Sequence, residues 1–402
     1  MTQSLPKGWR YDRLKDVAAI NRRSLGGSTD PNIEVDYLEI SNVNVLGIVD
    51  RSEIEHLRFA DAPSRARRCV SEGATIISSV RPNLQAVAFI DAMDSGLICS
   101  TGFNVVEPIR HKLAPRYLYY YLLSDDAKQY FVATAKGVGY PAIDDKEFST
   151  VDVPLPPLPE QKRIAAFLDA KCADIDKAIE TKRKQLDCID EMWKNILYKA
   201  TTQGLGTARM VKTRNRLFPE IPQGWKIKRL KRICSMRSGD NLGAADILPE
   251  GEYPVYGGNG LRGYYSDFNV SGRFILVGRQ GALCGNVHLV DGDFWATEHA
   301  LITTLRPNIE IRYAAYMMDA MNLNQYASQS AAQPGLAASK ILNVETVVPS
   351  CPEQCEIANY LDAKRKNLDE LTDNLRRQIK VLSDYRKSLI HEYVTGERRV
   401  AS

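Results

Sequence analysis

The sequence has no apolar run long enough to cross a membrane and no sign of a secretion signal. A membrane-spanning helix needs about 18 or more consecutive, mostly apolar residues, and none of the 402 residues lies in such a run. The opening segment, MTQSLPKGWRYDRLKD, lacks the apolar core that a secretion signal requires. We therefore expect a cytosolic protein that does not enter the membrane.

The eight cysteines lack the spacing of a zinc site or of a secreted disulfide framework. They are scattered along the chain, no Cys-x-x-Cys pair occurs, and the five histidines show no ligand spacing. Cys351 and Cys355 would share one face of a helix, so a metal there is an alternative to two reduced thiols. The thiols are favoured, and no metal site is predicted.

Catalytic motifs are missing as well. GGNG at 257–260 is rich in glycine but lacks the Gly-Lys-Ser/Thr of a phosphate-binding loop. No Gly-x-Gly-x-x-Gly opens a predicted helix, and neither Gly-x-Ser-x-Gly nor His-Glu-x-x-His occurs. The Asn/Asp-Pro-Pro-aromatic tetrapeptide of amino-methyltransferases is absent too. The sequence therefore predicts no catalytic residues.

The net charge does not by itself indicate a nucleic-acid ligand. The 53 lysines and arginines exceed the 49 aspartates and glutamates by only four. A strongly basic face would indicate nucleic acid on electrostatic grounds alone, and so small an excess does not.

What the chain does contain is an internal repeat. PKGWRYDRLKDV at 6–17 aligns with PQGWKIKRLKRI at 222–233, and six of the twelve residues are identical. PEQKRIAAFLDAK at 159–171 aligns with PEQCEIANYLDAK at 352–364, and nine of thirteen are identical. Two unrelated segments do not agree to this extent, so a tandem duplication is inferred.

The repeat predicts four segments: a domain at 1–155, a long helix and linker at 156–215, a second domain at 216–350, and a second long helix at 351–402. Short β-branched runs separated by turn-forming residues indicate β-rich domain interiors. One amphipathic helix is expected in each half, at 116–131 and 312–327. The tyrosines and methionines of these helices favour core packing over a base-stacking role.

Each long helix is predicted to start at a proline-rich segment, because proline suits the first turn of a helix. Glu160 and Glu353 then lie in the first turn, where negative charge favours the helix dipole. Apolar residues recur at steps of three and four, which is typical of paired helices. Lys171 and Lys364 interrupt this seam and favour a partly wet interhelical seam over two separate cores. The predicted pairing residues are Ile164, Leu168, Ile175, Leu186, Ile189, Trp193, Ile196, Ile357, Leu361, Leu368, Leu375, Ile379, Leu382 and Leu389.

An antiparallel pair would relate the halves by a two-fold axis and place one domain at each end. About forty residues give a spacer of roughly 60 Å. Two DNA half-sites that face the same way lie about 34 Å apart or a multiple of that distance. The predicted fold is therefore α+β, with two β-rich domains related by pseudo-two-fold symmetry and separated by two long antiparallel coiled-coil helices.

Taken together, these motifs resemble the specificity subunits of type I restriction-modification enzymes. The resemblance rests on the PKGW and PQGW openings, on the PLPPLPEQKRIAAFLD and PEQCEIANYLD helix starts, and on EYPVYGGNGLRGYY, ILVGRQGALCGNV and AAQPGL in the second half. It spans essentially the whole chain. The first half has no YPVYGGNG-like run and carries KGVGYPAI in place of AAQPGL.

The resemblance implies a non-catalytic subunit with two target-recognition domains, each reading one half of a split DNA target. The differences between the halves imply an asymmetric target. The helices would set the gap and dock two methyltransferase subunits, and motor-nuclease subunits would join the complex. S-adenosylmethionine, ATP and Mg²⁺ would belong to those partners, and this chain would bind no cofactor.

Candidate base-reading residues are polar side chains in loops that follow β runs. Arginine and lysine match guanine, and asparagine and glutamine match adenine. For each residue, stabilisation of its own loop is an equal alternative. Arg65, Arg67 and Arg68 fit phosphate or partner contacts better. The candidates are Arg81, Asn83, Gln85, Lys136 and Tyr140 in the first half, and Asn259, Arg262, Arg279, Gln280 and Gln333 in the second.

Two other functions remain open from the sequence. The chain could be a stand-alone DNA-modifying enzyme, in which case it would bind S-adenosylmethionine or cut DNA alone. It could also be a protein-binding scaffold, in which case it would show no sequence-dependent DNA binding. Neither alternative explains two divergent sets of loops on a repeated frame.

Overall fold

The protein has a mixed α+β fold that divides into two compact units in a computed structural model. Unit 1 contains Met1–Lys182 and Arg377–Ser402, and unit 2 contains Arg183–Arg376. Within the described residues, no helix has the length and apolarity needed to cross a membrane. The structure describes residues 5–44, 47–206, 208–281, 283–328 and 335–400.

Unit 1 consists of short strands, four short helices and one end of each of two long helices, which continue into unit 2. The strands are β1 (Arg10–Arg13), β2 (Ala18–Ile20), β3 (Glu34–Leu38), β4 (Glu55–Arg58), β5 (Ala66–Cys69), β6 (Thr75–Ser78), β7 (Val87–Phe89), β8 (Ile98–Ser100), β9 (Phe103–Pro108) and β10 (Asp152–Leu155). The helices are α1 (Leu14–Val17), α2 (Pro115–Leu123), α3 (Asp125–Thr134), α4 (Asp145–Ser149) and the long α5 (Leu158–Gln203).

Two four-stranded sheets form the body of unit 1. One has the order β2-β9-β6-β7 and the other the order β4-β3-β8-β5, while β1 pairs with β10. Side chains alternate across a strand, so Ile76 and Ile77 of β6 enter different cores. Ile76 packs with Leu38 of the other sheet, whereas Ile77 packs with Tyr117 of α2. The first sheet is therefore buried on both faces.

Unit 2 has the same kinds of element. Its strands are β11 (Met210–Lys212), β12 (Glu220–Pro222), β13 (Lys226–Arg229), β14 (Cys234–Ser238), β15 (Tyr253–Gly257), β16 (Gly260–Tyr265), β17 (Val270–Ser271), β18 (Phe274–Gly278), β19 (Val287–Val290), β20 (Asp293–Ala296), β21 (Ala300–Leu305) and β22 (Glu345–Val348). Its helices are α6 (Ile311–Ala320), α7 (Ala338–Leu342) and the long α8 (Cys351–Thr395), which continues into unit 1.

The strand orders confirm the duplication. Unit 2 has sheets β14-β21-β18-β19 and β16-β15-β20-β17, and β13 pairs with β22. Each order matches its counterpart in unit 1 strand for strand. The correspondence includes the one parallel pairing within the second sheet, β3 with β8 and β15 with β20. The β11–β12 pair has no counterpart among the described residues of unit 1.

The tyrosine-rich and methionine-rich segments form core helices, as predicted, although they are shorter than expected. The segment at 116–131 breaks into α2 and α3 at Ser124, whose Oγ accepts a hydrogen bond from the Ala127 backbone N–H. The segment at 312–327 ends its α-helix at Ala320. Tyr117 and Met318 are fully buried, which confirms the core role.

The glutamine of each Pro-Glu-Gln segment explains why the long helices begin where they do. Gln161 is fully buried; its Oε1 accepts from the Ala114 N–H at 2.8 Å and its Nε2 donates to the Pro156 carbonyl at 2.9 Å. Gln354 makes the same pair of bonds in unit 2, to the Glu310 N–H and the Pro349 carbonyl. Because buried polar backbone groups need partners, each glutamine satisfies a carbonyl just before its long helix and the N–H of the residue that caps a short helix, α2 or α6.

The two long helices pair in antiparallel orientation within each unit. In unit 1 the rings of Phe167 and Tyr393 lie 4.6 Å apart, and Arg386 pairs with Asp176 at 2.9 Å. Residues later in α5 therefore contact residues earlier in α8, so the two helices are antiparallel in unit 1. In unit 2 the Arg365 guanidinium lies 5.2 Å from the Trp193 ring centroid. This contact brings the two long helices together in unit 2 as well.

The prediction that Lys171 and Lys364 lie in the seam is wrong, since both are exposed. Cys172 and Ile179 are buried instead, so the buried positions on α5 step 168, 172, 175 and 179 and leave the lysine outside. The predicted pairing residues are all buried or half-buried, and several of them belong to the domain cores. Those buried are Ile164, Leu168, Ile175, Ile189, Trp193, Ile357, Leu361, Leu375 and Leu389; those half-buried are Leu186, Ile196, Leu368, Ile379 and Leu382.

Candidate nucleic-acid interface

The β6–β7 connection of unit 1 holds three of the predicted base-reading residues. Arg81 and Gln85 both have left-handed backbone conformations, with φ of 50° and 48°, and a short 3₁₀ turn between them carries Asn83. Arg81 and Asn83 are exposed. Gln85 is half-buried, and its Nε2 donates to the Leu123 carbonyl at 3.4 Å. Gln85 therefore ties the loop to the end of α2, while the other two side chains are exposed.

A second loop, at 136–142, packs beside the first. Ala142 pairs with both Val80 and Lys136, and the Arg81 N–H donates to the Pro141 carbonyl at 2.7 Å. The Arg81 guanidinium lies over the Tyr140 ring, 4.3 Å from its centroid. The structure thus stacks Arg81 on Tyr140, which come from two distant segments, and places Lys136 in the same pair of loops.

Lys136 is partly engaged. Its Nζ lies 3.3 Å from Asp144 Oδ2, and both side chains are exposed. The backbone N–H of Glu147 and the Lys136 ammonium hold the pKa of the Asp144 carboxyl below its ordinary value. Since an exposed pair of this kind is weak, Lys136 can exchange Asp144 for another anion.

In unit 2 the corresponding loop follows β18. The Arg279 carbonyl accepts from the Leu336 N–H at 2.8 Å, as the Ser79 carbonyl accepts from the Ile143 N–H at 2.9 Å in unit 1. Arg279 therefore corresponds to Ser79. The loops of Arg81 and Arg279 therefore occupy equivalent places, but Arg81 lies two positions further along its loop than Arg279 does along its own.

Arg279 is half-buried and already has partners. Its Nη1 donates to Ser238 Oγ at 3.0 Å and lies 3.5 Å from the Glu298 carbonyl. The neighbouring Gln280 is exposed and pairs with Gly335 through the backbone. Gln280 is therefore freer than Arg279 to meet a ligand. Gln333 lies outside the described residues.

The glycine-rich β15–β16 turn packs directly on this loop. A Cβ on Gly258 would lie 2.8 Å from the Gln280 carbonyl oxygen, so only glycine allows the approach. The exposed Asn259 accepts a hydrogen bond from Asn286 Nδ2 at 2.7 Å, which ties the turn to the loop after β18. Arg262 is exposed on β16.

Three further arginines were expected to contact phosphate or a partner, and the structure gives each of them a contact within unit 1. Arg68 is largely buried, and its Nη1 donates to Asn104 Oδ1 at 2.9 Å. Burial lowers the pKa of this guanidinium. Arg65 Nη2 pairs with Glu39 Oε1 at 2.6 Å. Arg67 lies over the Phe59 ring, 4.6 Å from its centroid.

Fold and candidate site together define a class: a duplicated α+β protein whose two domains present different polar side chains from equivalent loops. The chain belongs to the family described as the type I restriction modification DNA specificity domain, whose model matches residues 6–187 and 222–381.

Individual relatives agree with this assignment. The chain is 45% identical over 170 residues to the type I restriction enzyme EcoprrI specificity subunit of Escherichia coli, a match that covers 41% of each chain. It is 24% identical over 437 residues to the MjaIX specificity subunit of Methanocaldococcus jannaschii, covering 98% of this chain and 95% of the relative.

Solved structures support the fold alone at their level of identity. One comes from work on complex assembly and conformational transition of the type I R-M system; it has a TM-score of 0.74 at 21% identity and covers 98% of this chain and all of that one. The HsdS subunit from Thermoanaerobacter tengcongensis matches with a TM-score of 0.50 at 21% identity over 99% of both chains.

Proposed function

We propose that each unit of this specificity subunit reads one half of a split, asymmetric DNA target and that the chain itself catalyses no reaction. One observation carries the proposal: equivalent loops hold different residues, Val80 and Arg81 in unit 1 and Gln280 and Gly281 in unit 2. A frame that is repeated while its exposed polar residues differ suits two unlike half-sites. In this proposal, residues 1–155 and 216–350 are the recognition domains.

The segments 156–215 and 351–402, which contain the long helices, set the gap between the half-sites. The 46 residues of α5 span roughly 69 Å at about 1.5 Å per residue. Half-sites on one face of DNA lie about 34 Å apart or a multiple of that spacing. In this proposal the pairing of α5 with α8 keeps such a distance.

The outer faces of the helices dock two methyltransferase subunits, and motor-nuclease subunits join that assembly. Exposed apolar side chains such as Met192 on α5 support a protein partner there, because exposed apolar surface favours association. S-adenosylmethionine, ATP and Mg²⁺ are bound by those partners in this scheme, and this chain binds double-stranded DNA.

Methylation mapping tests the proposal. The chain is produced together with its methyltransferase partner in a host without methylation, and the modified positions are read by sequencing. We expect one bipartite, non-palindromic motif with a fixed gap. A contiguous or palindromic motif contradicts the proposal.

The same preparation tests the two alternative functions. Binding of S-adenosylmethionine or cleavage of DNA by the chain alone would establish an enzyme. A complex that assembles but shows no sequence-dependent DNA binding would establish a scaffold.

A further inference from the structure

Arg81 has a backbone conformation that its side chain disfavours. Among the described residues, five that are not glycine have positive φ, and three of them are asparagines, which tolerate this region well. The other two are Arg81 and Gln85. The side-chain amide of Gln85 donates to the Leu123 carbonyl, and this hydrogen bond can offset the cost of its backbone conformation. Arg81 donates no side-chain hydrogen bond to the described part of the chain.

At the position equivalent to Arg81, unit 2 has a residue that adopts the same backbone conformation without strain. Val80 pairs with Ala142 and Gln280 pairs with Gly335, two pairings related by the repeat. The next residue is Arg81 in one unit and Gly281, with φ of 91°, in the other. Glycine adopts this conformation without steric cost. Unit 1 therefore has a strained backbone at Arg81, where unit 2 has an unstrained glycine, and such strain points to a function.

Tyr140 orients the strained arginine. The guanidinium lies 4.3 Å from the centroid of the Tyr140 ring, and the ring is 72% exposed. A guanidinium stacked on a ring keeps its N–H groups pointing outward in its own plane. The Arg81 N–H also holds the Pro141 carbonyl at 2.7 Å. Both loops therefore fix the arginine before any ligand arrives.

We propose that Arg81, held by Tyr140, reads a guanine through the major groove in the half-site recognised by unit 1; this rests on the proposed function. A planar fork of donors matches the O6 and N7 acceptors of guanine. Adenine presents a donor amino group at the first of these places, so it is rejected. At the equivalent position unit 2 has Gly281, which carries no side chain to read a base.

Arg81→Gly separates this role from a structural one. The substitution removes backbone strain, so the thermal midpoint of unfolding should stay the same or rise. Discrimination at one guanine of the motif should fall roughly 5- to 150-fold in kcat/KM of methylation by the assembled complex. Tyr140→Phe keeps the ring and should retain discrimination, whereas Tyr140→Leu should lose part of it. Arg58→Ala, at an exposed pair with Asp61 in the same unit, is the matched control.

Modified bases identify the contact. Replacing the guanine by 7-deazaguanine removes N7, and replacing it by inosine removes only the minor-groove amino group. With the unmodified chain, 7-deazaguanine should lower methylation and inosine should not; with Arg81→Gly, neither should matter. A half-site without guanine, or equal effects of both bases, overturns the guanine proposal while a bipartite motif still stands. Absence of any bipartite motif instead overturns the proposed function.

Discussion

Arg116 and Arg312 make the same contact in the two units, each donating to the aspartate of a Leu-Asp-Ala-Lys segment on a long helix. Arg116 Nε lies 2.8 Å from Asp169 Oδ1, and Arg312 Nη1 lies 2.6 Å from Asp362 Oδ2. A tyrosine four residues further along each short helix donates to the same carboxylate at 2.7 Å. The duplication has thus preserved the junction between domain and helix.

Loss of this carboxylate should destabilise unit 1. Asp169→Ala leaves the Arg116 guanidinium and the Tyr120 hydroxyl without their acceptor. Because the ion pair is about one-third exposed, we expect a loss of about 1–2 kcal/mol in the free energy of unfolding. Urea unfolding followed by circular dichroism measures it. Asp12→Ala, which breaks the exposed pair with Arg10, should cost less than about 0.5 kcal/mol; equal losses would contradict the assignment.

Loss of the buried Gln161 at the start of α5 should lower the free energy of unfolding more than loss of Asp169 does. Gln161→Leu leaves the Ala114 N–H without its acceptor and removes the donor that serves the Pro156 and Lys112 carbonyls. Unsatisfied buried groups cost about 1–3 kcal/mol each, so we expect a loss of about 2–5 kcal/mol. Hydrogen exchange of the Ala114 amide should also accelerate.

Two variants control for this prediction. Gln161→Glu keeps an acceptor for Ala114 but loses both donations, and should therefore cost a comparable amount. Lys162→Ala, at the exposed neighbouring position, should change stability by less than about 0.5 kcal/mol. Near-neutral behaviour of Gln161→Leu would mean that the segment rearranges around the leucine.

The sequence predicts the architecture well because the repeat and the helix starts are local signals. The first turns with Glu160 and Glu353, the antiparallel helix pair and the core tyrosines all follow from spacing and residue type. The exposure of Lys171 and Lys364 does not follow from the sequence. Residues three or four positions apart lie on nearly the same side of a helix, so this spacing alone does not fix which of two neighbouring positions is buried. Cys172 and Lys171 are neighbours, and only the packing of α5 against the rest of unit 1 decides which of the two is buried.

The candidate site is harder to predict, because it is assembled from distant segments. The sequence placed Arg81 and Tyr140 in separate loops without indicating that they stack. The backbone pairings of the two loops align Arg81 with Gly281, a correspondence that the sequence of the loops does not indicate. Side-chain partners such as Ser238 for Arg279 come from strands far away in sequence. No local sequence pattern predicts such partners.

The stability of unit 2 should depend on pH through His288. Burial lowers the pKa of this imidazole, and a Cβ on Gly260 would lie 3.1 Å from its ring. Below the ordinary histidine pKa of about 6.5, the unfolded chain binds a proton that the folded chain does not. The contribution of neutral His288 is therefore full above about pH 6.5 and falls as the pH drops toward the folded pKa.

His288→Phe, which has no titratable group, should remove this dependence. The difference in unfolding midpoint between the variant and the unmodified chain should shift in favour of the variant as the pH falls from 7.5 to 5.5. Urea titrations at several pH values measure it. A difference that stays constant over this range would show that His288 does not contribute to the pH dependence of unfolding.

Substitutions of Arg279 and Gln280 should distinguish a residue that stabilises its loop from one that reads a base in unit 2. Arg279→Ala removes the donor to Ser238, so it should lower the free energy of unfolding by about 1 kcal/mol and weaken recognition of the second half-site as the loop loosens. Gln280→Ala removes an exposed side chain, so stability should hold while preference changes at one position of that half-site. Methylation mapping of both variants in the assembled complex measures this, and the first half-site should remain unchanged. If Gln280→Ala instead weakens methylation equally across all sequences, Gln280 contacts the phosphate backbone and not a base.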